Sequence, residues 1–419
     1  MRFVRPLYAV TSQAKDNLLR LSLVLVVSLF VAGCSAGNSP APSGSSGSSG
    51  SGGSGGSSGS GSSPTVGASG TIVLPNGASG VAVIHIEDSN GNLLTAPQLK
   101  NVAAAFPVTL VAEPPDFSQG LIGGGTMAQE IDTATTTPSL AGSMQVYTSG
   151  SLTALSILAD SSFSFLQMTA FDSYDVLCFT GGLHNATDAS GNVVLPLGTQ
   201  QFTSFASSAN GTLGAQMGGN GLQVWGFGTS LSPHAITFEE MYLDAPSLTS
   251  TIQGRGGIAI NPSTNAQVLV GAGNQLAAYG GFSGDFIVPY GDTIAIPNGA
   301  TVTSVAYLAS GDYAIVATTA GLYTATINDT GSAITVTLSS TAANPTYKGS
   351  DGNTYAVDHA QSIAITQDGK YLVALTDQPS ATSGTLVVLP VSSAGVVGSS
   401  SATVPDLLAT EGVDSVFAY

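Results

Sequence analysis

Asp358-His359 is the pair in this chain best suited to proton transfer, because imidazole exchanges protons near neutral pH and a carboxylate can serve as its partner. Adjacent residues of a strand point to opposite faces, so the two cooperate only from a loop. Arg255 and Glu411 complete a possible hydrolytic set, and Lys100, Gln201 and Asp414 could bind a ligand beside them. The reading that takes precedence is that these residues are polar because they sit on wet loops. Metal chemistry has less to build on. His85 and Glu87 share one face of an alternating run, and His234 stands five residues before Glu239. A metal site needs three or four converging ligands, and one strand offers two, so no metal is expected. Asp88-Ser-Asn-Gly-Asn92 begins like a calcium loop but lacks the distal bidentate Glu, and an Asn-Gly hairpin explains it better. There is no G-x-S-x-G, P-loop, dinucleotide fingerprint or C-x-x-C, and no cofactor is expected. Cys178, in the apolar run 176–179, reads as a buried thiol rather than a nucleophile. Trp225 is the only Trp, which argues against a broad aromatic sugar platform, although the 13 Tyr leave sugar contacts open.

These residues gain meaning from the elements around them. From Gly67 onward, runs of Val, Ile, Leu, Tyr, Phe and Thr alternate with Gly, Asn, Asp, Ser and Pro clusters, the signature of strands and tight turns. Asn90-Gly91, Ser190-Gly191-Asn192, Asn210-Gly211, Asp351-Gly352 and Asp368-Gly369 read as hairpin turns. A short word, small or polar then apolar then Ala, recurs at 101–103, 204–206, 257–259, 304–306 and 362–364. Looser copies stand at 152–154 and 415–417. Its third positions are 51, 52, 53, 47, 58 and 53 residues apart. Second strands follow at 313–317 and 371–375, and third strands begin at Leu222, Leu276, Leu322 and Leu386. Four strands in about fifty residues is the size of a propeller blade.

The last copy, within 413–419, has no blade behind it. Strands at 71–74, 81–87 and 92–95 can supply its outer members, which would close a ring of seven and remove a free sheet edge. Residues 67–419 divide into seven units of about 50. The expected fold is therefore an all-β, seven-bladed propeller with four-stranded blades. Its word would mark the innermost strand, and Lys100, Gln201, Arg255, Asp358, His359, Glu411 and Asp414 would stand at one rim of the channel. A β-solenoid or tandem sandwiches is the alternative.

The N-terminus sets the location. Arg2, Arg5, Lys15 and Arg20 precede the apolar run 21–32, which ends at Gly33-Cys34. This is a secretory signal, too short at about 18 Å of helix to span a bilayer core of about 30 Å. Val31-Ala-Gly-Cys34 resembles the lipobox of bacterial lipoproteins. The resemblance implies cleavage before Cys34, lipidation of that Cys, and, with Ser35 following it, an outer-membrane destination. Residues 1–33 are then the signal peptide, 34–66 a lipidated Gly/Ser-rich tether and 67–419 the folded domain. The whole chain carries 8% charged residues and a net charge of -17. Removing the signal leaves Lys100, Arg255, Lys348 and Lys370 against 24 acids, a formal charge of -20. Such a body excludes nucleic acid as a partner and meets the membrane only through its lipid.

Gln361-Ser-Ile-Ala-Ile-Thr-Gln-Asp-Gly-Lys-Tyr-Leu-Val-Ala374 resembles the repeat of YVTN-type, lactonase-like β-propellers: an apolar strand, an Asp-Gly turn and a second strand. Gln367 replaces the Pro usual in that family. Residues 304–327 and 257–279 follow the pattern loosely, and blades before residue 200 match by spacing alone. Two functions are compatible with this reading. The first is a non-enzymatic binding or scaffold module for an envelope or extracellular protein or polysaccharide. The alternative is a lactonase-like hydrolase at the channel mouth, working through His359, Asp358, Arg255 and Glu411.

Overall fold

The computed structural model describes residues 70–113, 120–133, 138–146, 151–157, 202–208, 213–218, 221–231, 234–242, 257–282, 290–380 and 383–407. It also describes strand segments between 163 and 188, Val31–Gly33 and Phe417–Ala418. All regular structure among them is β, apart from one 3-10 turn at Pro297–Gly299.

Valine, isoleucine and leucine fill the middle strands so densely that alternation disappears. Val81–Glu87 and Thr71–Pro75 are buried at every residue. A strand buried on both faces has no polar side to offer, so its sequence reads as a continuous apolar run. Such strands need a sheet on each side. The described residues supply them as seven successive antiparallel sheets of four or more strands, numbered here along the sequence.

Sheet 1 holds Thr71–Pro75, Val81–Glu87 and Leu93–Val102; sheet 2, Leu110–Ala112, Gly120–Gly124, Met127–Asp132 and Ser139–Val146. Sheet 3 holds Leu152–Ile157, Phe163–Met168, Tyr174–Cys178 and His184–Asn185. Sheet 4 is built on Phe202–Ser207, Leu213–Gly218, Gly221–Leu231 and His234–Tyr242. Sheets 5 and 6 open with Ile258–Ile260 and Val302–Tyr307, and sheet 7 is Ala360–Ile365, Tyr371–Ser380, Ser383–Pro390 and Ala402–Leu407. In sheets 2 to 7 the strands lie in chain order. Sheet 4 carries two more, Val31–Gly33 and Thr187–Asp188, beyond His234–Tyr242. A two-stranded hairpin, Thr346–Lys348 with Thr354–Ala356, is inserted between sheets 6 and 7.

Sheet 1 is completed from the far end of the chain. Phe417–Ala418 pairs antiparallel with Thr71–Pro75, Ala418 opposite Ile72 and Phe417 opposite Val73. The core lies between sheets rather than within one. Ile72, Leu74, Ile84 and Ile86 pack against Val373, Leu375 and Val388 of sheet 7. On the other face, Val73, Val81 and Val83 pack against Val111, Ile122 and Ile131 of sheet 2. The first strands of consecutive sheets touch one another from sheet 2 through sheet 7, and those of sheet 7 touch Phe417–Ala418. Each fully buried Val, Leu or Ile contributes about 1.5–3 kcal/mol relative to an exposed one, so these interfaces hold the molecule together.

The recurring word marks the first strand of sheets 3 to 7, at 152–154, 204–206, 257–259, 304–306 and 362–364, as expected. The copy at 101–103 is a correction. It closes Leu93–Val102, the outermost strand of sheet 1, and the first strand of sheet 2 is Leu110–Ala112. A three-residue pattern of small, apolar and Ala positions does not by itself tell an inner strand from an outer one. The alternation expected over 81–87 is present, with Ala82, Ile84 and Ile86 toward sheet 7 and Val81 and Val83 toward sheet 2, but both faces are buried. The register shift between His85 and Glu87 falls in the partner strand Leu93–Val102. The Asn90-Gly91, Asp351-Gly352 and Asp368-Gly369 turns are all present, with Gly91, Gly352 and Gly369 at φ of +72°, +79° and +72°. The turns at 190–192 and 210–211 lie outside the described residues.

Candidate functional site

In each of sheets 5 to 7 the first strand has two ends of different character. The chain enters at one, called here the mouth end, and leaves by a tight turn at the other. Asp358 and His359 occupy the loop that leads directly into Ala360–Ile365, so they stand at the mouth end of sheet 7. The loop conformation that lets adjacent residues cooperate is met, since 357–359 is outside any strand. His359 is exposed and Asp358 half-buried.

The inserted hairpin and the long second strand of sheet 7 build the surroundings. Ala360 pairs with Thr376, which brings the end of Tyr371–Ser380 to the same mouth. Tyr347 of the hairpin is buried there, and its hydroxyl donates to Thr376 Oγ1 at 2.7 Å. Thr376 Oγ1 donates in turn to the Thr385 carbonyl at 3.4 Å. This relay pins the hairpin to the sheet. Burial pushes the Tyr347 phenol above its ordinary range, helped by the nearby carboxylates of Asp377 and Asp358, so it remains a donor. One Asp377 carboxylate oxygen is buried with no hydrogen-bond partner among the described residues. On the neighbouring first strand, Thr303 Oγ1 donates to the Ala360 carbonyl, and Ser304 Oγ accepts from the Ile363 amide at 3.2 Å. The hairpin tip is organised by Asp351, whose carboxylate accepts from Tyr355 at 2.6 Å and Asn353 at 2.7 Å and is held below the ordinary carboxylate range by them. Two acids, an imidazole and an orienting phenol thus share one mouth. Such a set can take a proton from water and hold the imidazolium that results.

The opposite end of the sheets carries a different polar group. Asp329 accepts from Tyr290 at 2.6 Å and Gln267 at 2.7 Å, which hold its carboxyl low against the opposing effect of burial. Burial and that carboxylate push the Tyr290 phenol up to about 12. Asn261, bonded to Gln267 and to the Gly311 carbonyl, ties this group to the turns of sheets 5 and 6. It staples neighbouring sheets together.

The other expected site residues divide sharply. Lys100 does not stand at a mouth. It is exposed in the outermost strand of sheet 1, opposite Val83, because the word beside it was not an inner strand. Gln201, Arg255, Glu411, Asp414 and Cys34 lie outside the described residues, as do the tether at 34–66 and the residues Val416 and Tyr419. In sequence, Gln201, Arg255 and Glu411 precede first strands just as His359 does. His85 is buried against Thr71, with Nδ1 3.0 Å from Oγ1, and burial together with Lys100 lowers its basicity. Among the described residues no three His, Cys, Asp or Glu side chains converge as a metal site would require. Sequence reasoning missed Tyr347, Thr376 and Asp377. The trace they left was the 58-residue spacing between the words at 306 and 364, the widest of the six, which contains the hairpin.

No family model and no curated protein sequence matches this chain. Solved structures do. A candidate 6-phosphogluconolactonase of Bacteroides fragilis superposes with a TM-score of 0.55 at 12% identity, over 83% of this chain and 97% of that one. A periplasmic gluconolactonase of Pseudomonas aeruginosa gives 0.52 at 12% identity, over 83% and 98%. The fold is lactonase-like. A candidate 6-phosphogluconolactonase of Bacteroides uniformis shares it too, with a TM-score of 0.54 at 11% identity, over 83% and 99%. At these identities the likeness is one of architecture and carries no residue-by-residue correspondence. Among the described residues no helix is long and apolar enough to cross a membrane.

Proposed function

We propose that the chain is an envelope-tethered hydrolase of lactone-type cyclic esters, its seven sheets forming the blades of one propeller closed by Phe417–Ala418. The observation that carries this reading is the mouth of sheet 7. The chain's one adjacent acid–imidazole pair opens a first strand there, beside Asp377 and Tyr347, in a fold shared with lactonases. His359 takes a proton from water as the oxygen attacks the lactone carbonyl carbon. The bond from that carbon to the ring oxygen then breaks, and the imidazolium returns its proton to the departing alkoxide, giving a hydroxy acid. Asp358 stabilises the imidazolium, and Tyr347 positions the loop from behind. Arg255 and Glu411, which precede two other first strands, complete the rim.

The scaffold reading, the first expectation from sequence, ranks second because the fold's named neighbours are lactonases. Location follows from the N-terminus: signal peptide 1–33, lipidated Cys34 with a tether to 66, and a domain from 67 to 419. A periplasmic neighbour supports an envelope setting. Cleavage before Cys34 would withdraw Val31–Gly33 from sheet 4 and leave His234–Tyr242 as its outer strand, the four-stranded pattern of the other sheets.

Proton release during ring opening of simple lactones tests the activity. The full chain should exceed the buffer rate, and His359→Gln should lose about 100-fold in kcat with an unchanged melting temperature. A wild-type rate equal to buffer, or a fully active variant, overturns the proposal.

A further inference from the structure

The placement of the few cations points to the charge of the substrate. Building on the lactonase reading, we infer that the mouth of sheet 7 accepts uncharged cyclic esters and rejects phosphorylated ones. A phosphate monoester carries close to two negative charges and is normally met by Arg or Lys. After signal cleavage the chain has four such residues, and three of them are placed. Lys100 lies on the outermost strand of sheet 1. Lys370 sits in the turn at the far end of Ala360–Ile365 from His359, ion-paired to Asp368 at 2.6 Å and donating to the Gly91 carbonyl at 3.3 Å. Lys348 is nearer, on the inserted hairpin, but it follows Tyr347 in the same strand. Tyr347 faces Thr376, so Lys348 points to the other side, where its ammonium donates to Thr354 Oγ1 at 2.6 Å.

The mouth itself is acidic. Asp358 lies two residues before Ala360, and Asp377 follows Thr376, which pairs with Ala360 and bonds the Tyr347 hydroxyl, so two acids stand at this end of the sheet. Asp351 and Asp406 lie further out, and Ser350 of the hairpin donates to Asp406 in the last strand of sheet 7 at 3.3 Å. Arg255 is the single remaining cation, and one guanidinium cannot offset two near carboxylates and a body at -20.

The test compares ring opening of 1,5-gluconolactone with that of its 6-phosphorylated form on the purified full chain, after subtraction of the buffer rate. The uncharged lactone should be preferred by about 100-fold in kcat/KM. Raising salt from about 20 to about 500 mM should narrow that ratio by screening the carboxylates, and Asp377→Asn should narrow it at low salt. Equal or better use of the phosphorylated lactone overturns the inference and leaves the lactonase reading standing. A ratio indifferent to both salt and Asp377→Asn overturns the electrostatic account. If neither lactone is opened, the lactonase reading fails and this inference with it.

Discussion

At the turn end of sheets 5, 6 and 7 the chain closes the same way three times. The Asn261 amide reaches the Gln267 carbonyl, Leu308 reaches Tyr313 and Thr366 reaches Tyr371, each at 2.9 Å. Inside each loop a second bond returns, from Asn265 to Asn261, Gly311 to Leu308 and Gly369 to Thr366. The mouth ends share no such plan. Sheet 6 is reached through a 3-10 turn at Pro297–Gly299, sheet 7 through an inserted hairpin, and sheet 2 through a strandless stretch at 103–109. One end repeats because it must only reverse the chain and staple neighbours. The other varies in length and form, and one of its loops carries Asp358 and His359.

Removing residues 413–419 should have the largest effect. It strips the partner strand from Thr71–Pro75, whose five residues are all buried, and leaves an apolar edge between two sheets. The loss should exceed the roughly 2–5 kcal/mol of one truncated core side chain and should appear as aggregation or a collapsed urea midpoint. A harmless deletion would mean that the first and seventh sheets hold together without it.

A matched pair of glycines separates the two ends more finely. Gly311 at φ +78° lies in a turn-end loop, where a Cβ would fall 2.2 Å from Asn261 Oδ1. Gly352 at φ +79° lies at the hairpin tip with open space around it. Gly311→Ala should therefore lower stability by about 1–3 kcal/mol and Gly352→Ala by roughly 1 kcal/mol or less. Equal losses in urea melts would deny the turn end its tighter construction.

Tyr347→Phe removes the mouth's buried relay while keeping its ring. About 1 kcal/mol of stability should go, and lactone turnover should fall while KM changes little if the loop shifts. Phe with full activity would reduce Tyr347 to packing.

The smallest effect is a pH dependence at the turn end of sheet 1, where Thr71 meets His85. Burial first, and Lys100 second, hold His85 less basic in the fold than in the unfolded chain. The unfolded state therefore binds the proton more readily, and the stability linked to neutral His85 is complete above about pH 6.5. It declines as pH falls from there through the folded value. His85→Leu should flatten that part of the pH–stability curve, measured by urea midpoints between pH 7 and 5.

Much of this architecture was legible because both-face burial writes itself as apolar runs and the turns as Asp-Gly and Asn-Gly. The pairing of the two chain ends followed from one short leftover strand at the C-terminus. What stayed hidden was local. Leu110–Ala112 was overlooked because 101–103 imitates it, and Lys100 was misplaced with it. Tyr347 and Asp377 were overlooked because they meet only when a hairpin folds back across thirty residues onto a strand extended past its repeat length. His359 was legible because it adjoins a first strand, where sequence position and spatial position coincide.

Sheet 1 begins at Thr71, just after Gly70; Thr71 lies opposite His85, at the end where Lys370 reaches the Gly91 carbonyl from the turn of sheet 7. Gly70 thus stands at the turn end, and Asp358 and His359 stand at the other. Under the proposed anchoring at Cys34, the chain therefore enters the domain at the end remote from Asp358 and His359, and the tether itself leaves their mouth unobstructed.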